Sequence, residues 1–115
     1  KPFIEIMFGD FISYSFDQIL TNASKFFHMY NKQVAVPITI RTPMGGGRGY
    51  GPTHSQSIEK IFNGLNNIKI VALNTLIDSN LILKAIENFK HSTILIENKI
   101  DKWLWFFNYF YKPFK

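Results

Sequence analysis

Short apolar runs alternating with amphipathic stretches predict an α/β fold, a mainly parallel sheet with helices on both faces. Three observations carry this. Residues 3–7, 34–40, 68–73 and 93–96 are brief apolar or β-branched runs of strand length. Two stretches between them repeat apolar residues at helical spacing, the first running from Ile12 to Tyr30 and the second from Leu81 to Phe89. A glycine-rich loop directly follows the second strand run, and loops at strand ends are where open α/β sheets bind ligands.

Taken in order, Phe3-Ile4-Glu5-Ile6-Met7 has strand character, and Gly9-Asp10 breaks it with Asp10 placed to cap a helix. Ile12, Phe16, Ile19, Leu20, Ala23, Phe27 and Tyr30 then form one apolar stripe, with Ser13, Asp17, Asn22 and Lys25 off it. Asn31-Lys32 ends that helix. Residues 34–40 read as the next strand, and Pro37 within it removes a ladder donor, which favours the strand's beginning or an edge. Residues 44–52 hold five of the seven glycines between Pro43 and Pro52, so this backbone must visit positive φ or approach something closely. A short helix is expected over 57–62. Residues 68–73 are a strand interrupted only by Lys69. Asp78 offers a cap for a helix whose stripe is Leu81, Ile82, Ala85, Ile86 and Phe89, and residues 93–96 complete the last strand.

A length of 115 residues fits one domain with one core. With 46% hydrophobic and 18% charged residues the chain is globular rather than disordered. It has no cysteine, which excludes disulfides, thiolate metal sites, iron–sulfur clusters and cysteine nucleophiles. No signal-peptide pattern and no bilayer-length apolar run is present, so a cytoplasmic chain with no membrane partner is expected. The formal charge is +5, and no acid lies between Asp17 and Glu59 while Lys25, Lys32, Arg41 and Arg48 do. That is a weak pull toward an anionic partner. Residues 1–100 form the expected domain and 101–115 an aromatic tail, in which Trp103, Trp105, Phe106, Phe107, Tyr109 and Tyr111 need a lid-like fold-back or a partner to leave water.

The most informative segment is Arg41-Thr42-Pro43-Met44-Gly45-Gly46-Gly47-Arg48-Gly49-Tyr50-Gly51-Pro52-Thr53-His54-Ser55-Gln56-Ser57. It resembles the pyrimidine-binding domain of thiamine-diphosphate (transketolase-like) enzymes, above all the beta subunits of pyruvate and branched-chain 2-oxoacid dehydrogenases. Glu5-Ile6-Met7-Phe8-Gly9-Asp10-Phe11, Phe16-Asp17-Gln18-Ile19, Ile68-Lys69-Ile70-Val71 and Ile96-Glu97-Asn98-Lys99 resemble the same family in order and spacing, over roughly residues 1–100.

The resemblance implies specific roles. Phe11 would stack on the cofactor's aminopyrimidine and Met7 would lie against the same ring; on the residues alone both read as core. His54 would face the reacting carbon and handle protons, a task suited to imidazole, although a lone histidine beside a glycine loop is more often exposed or capping. Asp17 and Gln18 would sit near a subunit contact, or Asp17 is a solvated carboxylate. Arg41 and Arg48 suit a carboxylate or phosphate, or are solvated loop charges.

The family's glutamate, which drives the pyrimidine tautomer, would lie upstream of Lys1. The resemblance therefore implies an oxidoreductase part, active on a 2-oxoacid or sugar phosphate only when another chain supplies that glutamate and the half that binds diphosphate and magnesium. An alpha-type subunit or self-association is the expected partnership. The alternatives are a non-catalytic interaction module that keeps the fold, and single-stranded nucleic-acid binding through Arg48 and Tyr50 of the glycine loop. The glycines match neither a Walker loop nor the strict dinucleotide fingerprint.

Overall fold

The computed structural model of the chain describes residues 1–101. Strands β1 (Phe3–Glu5), β2 (Thr39–Met44), β3 (Ile68–Ala72) and β4 (Ser92–Asn98) form one sheet in the order β1-β2-β4-β3, with every pair parallel. The α/β reading holds. The aromatic residues from Trp103 onward lie outside the described residues.

The second strand is displaced from its expected place. Residues 34–38 precede it, and β2 instead runs through Thr39, Ile40, Arg41, Thr42, Pro43 and Met44. Register explains how a central strand tolerates Pro43. Thr39 donates its N–H to Pro2 O, and Arg41 O accepts from Ile6 N, so backbone groups of alternate residues 39, 41 and 43 point toward β1. The last β1 pair is Glu5 with Arg41, so the missing N–H of Pro43 falls where β1 has already ended.

Both interior strands are buried along most of their length, whereas β1 is exposed and β3 only half covered. Ile40, Met44, Ile94 and Ile96 from the interior strands meet Ile12 and Ile19 from the first helical segment and Phe62 from the β2–β3 connection in one cluster. Burying each such side chain contributes about 1.5–3 kcal/mol.

The first helical segment runs unbroken from Gly9 to Met29, as its stripe predicts, but it is not one regular helix. It opens as a 3-10 helix at Gly9–Ser15, passes through π-helical geometry at Gln18–Ala23, and finishes as α1, Ser24–Met29. Ile12, Ile19 and Ala23, spaced by seven and four residues on one face, are all buried despite the change of helical type. Asn31 and Lys32 adopt positive φ and terminate it, as expected. Asp10 is not the cap. The capping position is Phe8, and Asp10 is buried within the first turn.

Asp78 does cap α2 (Ser79–Glu87), accepting from Asn80 N at 2.9 Å. Replacing Asp78 with Ala is expected to cost about 1 kcal/mol, read as a lower urea midpoint at unchanged slope. At the other end of α2, the Lys1 ammonium donates to Ile86 O at 2.9 Å and His91 O at 3.1 Å. Burial, and then the neighbouring Lys69, hold the Lys1 pKa below its usual value. The α2 stripe is only partly covered: Ile86 is fully buried, but Leu81 is 61% exposed. The helix expected over 57–62 is a single 3-10 turn, Glu59–Phe62, which carries Phe62 into the core. Among the described residues, no helix is long and apolar enough to cross a membrane.

Candidate functional site

The site lies at the carboxyl ends of three adjacent strands, β1, β2 and β4, where open parallel sheets present their ligand-binding loops. The chain leaving β1 contributes Phe8, Asp10 and Phe11; the chain leaving β2 contributes the glycine loop and His54; the chain leaving β4 contributes Lys99.

Glycine makes this convergence possible. Gly9 is buried against Met44 and Pro43, and a β-carbon there would overlap Met44 Cγ and lie 3.1 Å from Pro43 O. Gly9→Ala is therefore expected to destabilise the domain by about 1–3 kcal/mol through overpacking, measured by urea unfolding. Gly47, at φ +84°, holds a backbone conformation that a side chain would strain, and it lies close to Ile100 at the β4 exit.

Gly51 then turns the chain into Pro52–His54, a 3-10 turn that presents His54. The imidazole packs in a triangle with two phenyl rings, its centroid 5.0 Å from Phe8 and 5.3 Å from Phe11 in an edge-on contact, while Phe8 and Phe11 meet each other at 5.8 Å. Tyr50 closes another side with its ring 5.5 Å from Phe8. His54 Nδ1 is buried and has no hydrogen-bond partner among the described residues. A buried unpaired ring nitrogen is costly, which marks His54 as a group not placed for stability alone, and the rings around it offer apolar faces and edges suited to a flat group.

Beneath the rings is a buried ion pair. Lys99 Nζ donates to the backbone oxygen of His54, lies 3.6 Å from Asp10 Oδ2, and stands 4.9 Å from the centre of the Phe8 ring. The Asp10 Oδ1 atom accepts from Gln56 N at 3.2 Å, and Gln56 O accepts from Gly45 N at 3.1 Å.

Of the residues singled out from sequence, His54 and Phe11 are brought together. Met7 is not in the core: it is 67% exposed beyond the end of β1. Arg41 meets carboxylates of its own chain, with Nε 2.8 Å and Nη2 2.9 Å from the two Glu97 oxygens and Nη1 3.2 Å from Glu5. Hydrogen bonding to Glu97 raises its pKa despite burial, so the guanidinium is a cross-strand tie over β1, β2 and β4. Asp17 is exposed and accepts from Thr21 Oγ1 at 2.9 Å, while Arg48 is half-buried within the glycine loop. Sequence reasoning missed Phe8, Tyr50 as a ring partner, and the Asp10–Lys99 pair. The signal available for Phe8 is its place beside Phe11 on either side of Gly9-Asp10; for Lys99 it is only its place in the family-resembling segment Ile96-Glu97-Asn98-Lys99.

A cleft lined by Lys1, Phe27, Val36, Asn67, Phe89 and Ser92 opens at the opposite, amino-terminal edge of the sheet. It holds neither the glycine loop nor His54, and the convergence of rings and loop makes the carboxyl edge the better candidate.

The family model described as transketolase, pyrimidine binding domain, matches residues 1–101. The chain belongs to this family. Among curated proteins it is similar to the acetoin:2,6-dichlorophenolindophenol oxidoreductase subunit beta of Bacillus subtilis (strain 168), 38% identical over 89 residues, 76% of this chain and 26% of the relative. It is similar to the 2-oxoisovalerate dehydrogenase subunit beta of the same organism, 35% identical over 99 residues, covering 86% of this chain and 30% of the relative. The pyruvate dehydrogenase E1 component subunit beta of Staurastrum punctulatum is 32% identical over 98 residues, 85% of this chain and 30% of the relative. The chain thus spans less than a third of the length of these relatives. In this transketolase-family pyrimidine domain, the matched region contains the whole four-stranded sheet and every residue of the aromatic site.

Proposed function

We propose that this chain is the pyrimidine-binding part of a thiamine-diphosphate-dependent 2-oxoacid dehydrogenase. In this reading it works with an alpha-type chain that supplies the diphosphate-binding half. The observation that carries it is the His54 imidazole packed against Phe8 and Phe11, with an unpaired ring nitrogen, beside a loop of glycines at positive φ. Kinship with beta subunits of 2-oxoacid dehydrogenases supports the substrate class.

These residues fit the flat pyrimidine end of the cofactor. Phe11 and Phe8 offer ring faces and edges, and Met7, exposed beyond β1, is free to lie against the same heterocycle. In this reading magnesium and the diphosphate belong to the alpha-type chain. Thiamine diphosphate supplies the carbanion chemistry when bound. His54 contributes a proton donor or acceptor at its ring nitrogen, the aromatic wall excludes water from it, and the Arg41 tie keeps the three strand ends in register.

Titration calorimetry with thiamine diphosphate and magnesium, with and without a candidate alpha chain, tests the proposal. Heat of binding in the mixture is the expected result, and no binding in either case removes the cofactor claim. Turnover of a 2-oxoacid by the isolated chain with an artificial electron acceptor would remove the partner requirement. The exposed Leu76, Ile77 and Leu81 surface supports association, either with that chain or with a second copy, which light scattering across a concentration series measures. Binding of partner without cofactor selects the second reading, an interaction module that keeps the fold.

A further inference from the structure

We infer that Lys99 and Asp10 are positioning residues for His54, a buried ionic clamp that sets where the imidazole stands; this rests on the proposed role of His54. Both side chains are 5% exposed, so neither is available to a ligand from solvent. Each spends its contacts on the segment that carries the histidine. The Lys99 ammonium donates to His54 O and lies over the Phe8 ring that packs on the imidazole. Asp10 receives the Gln56 amide, two residues farther on, and Gly45 N binds Gln56 O from the start of the glycine loop.

The chain from Gly51 to Gln56 is thereby tied to the exits of β1, β2 and β4 at once. Such a device is a poor choice for stability alone. Two charges lose their hydration on burial, and apolar residues of the same volume commonly serve as well or better. What an apolar pair lacks is direction: only a donor and an acceptor fix the His54 carbonyl and the Gln56 amide at defined points, and hence the ring against Phe8 and Phe11. The Lys99 ammonium donates to His54 O and is paired in charge with Asp10 at 3.6 Å, which argues against a role in holding a substrate carboxylate.

The test uses the full chain, isotope-labelled, with the His54 ring resonances as readout, since Phe8 and Phe11 must displace them by ring currents. In Lys99→Met these resonances are expected to move toward those of exposed His28, while methyl resonances of Ile94 and Leu95 stay in place. Lys99→Arg should retain most of the displacement. If the unpaired Asp10 prevents Lys99→Met from folding, Lys99→Met/Asp10→Asn removes both charges at nearly constant volume and is read the same way. An unmoved His54 signature in either folded variant overturns the proposal. In the unmodified chain the Gln56 amide should exchange with solvent more slowly than that of Gly49, and equal exchange also overturns it. None of these readouts needs cofactor, so they stand apart from the calorimetry that decides the proposed function. In an assembled, cofactor-loaded enzyme, Lys99→Met is expected to lower kcat by roughly a hundredfold with cofactor affinity unchanged, as misplacing a reacting group does.

Discussion

Replacing Phe62 with Ala is expected to lower the unfolding free energy by about 3–5 kcal/mol, the largest stability loss of any single substitution considered for this domain. Phe62 is 1% exposed and belongs to the central cluster, with its ring 5.5 Å from Phe16. It is delivered there by one 3-10 turn, Glu59–Phe62, within the connection from the glycine loop to β3. Ile58 and Leu65 of the same connection, with Phe16, pack against the cluster around it, so removing the ring leaves a cavity among them. Domains of this size have about 5–15 kcal/mol of stability in total, which makes most of it vulnerable to this one change. Urea unfolding followed by circular dichroism measures the loss, and Phe62→Leu should recover a large part of it. A loss below about 1 kcal/mol, typical of a surface site, would mean that Phe62 does not pack as described.

Under the proposed function, His54→Ala in the assembled, cofactor-loaded enzyme is expected to reduce kcat by about 10²–10⁴-fold, the range associated with losing a positioned proton-transfer group. Affinity for thiamine diphosphate should change far less, because the imidazole is one of four packed rings, the others being Phe8, Phe11 and Tyr50. Phe11→Ala should show the opposite pattern, weakening cofactor binding first. Steady-state kinetics paired with calorimetry separates the two. Equal losses of binding and turnover in His54→Ala would assign the histidine to the wall of the site rather than to its chemistry.

The residues that could be read directly from the chain are those whose role is local. Asp78 caps α2 because a carboxylate two residues before Asn80 can reach its amide whatever the rest of the fold does. Asn31 and Lys32 end the first helical segment, and the glycines of residues 45–51 mark a loop, because backbone dihedrals respond to the residue that bears them. Alternating apolar runs and stripes determined a parallel α/β sheet, and the motif around His54 singled out one loop and one histidine. Three matters were decided only by tertiary structure. Pro43 sits in a central strand because β1 stops two residues short of it, a consequence of register. The first helical segment passes from 3-10 through π to α geometry along its length, although Ile12, Ile19 and Ala23 keep the spacing of one helical stripe and are all buried. Asp10 is drawn from a helix cap into a buried pair with Lys99, 89 positions away, because the exits of β1 and β4 flank that of β2. Sequence spacing governs what neighbours along the chain can do, whereas burial, pairing of charge and the setting of the His54 ring depend on groups that only the closed sheet brings within reach.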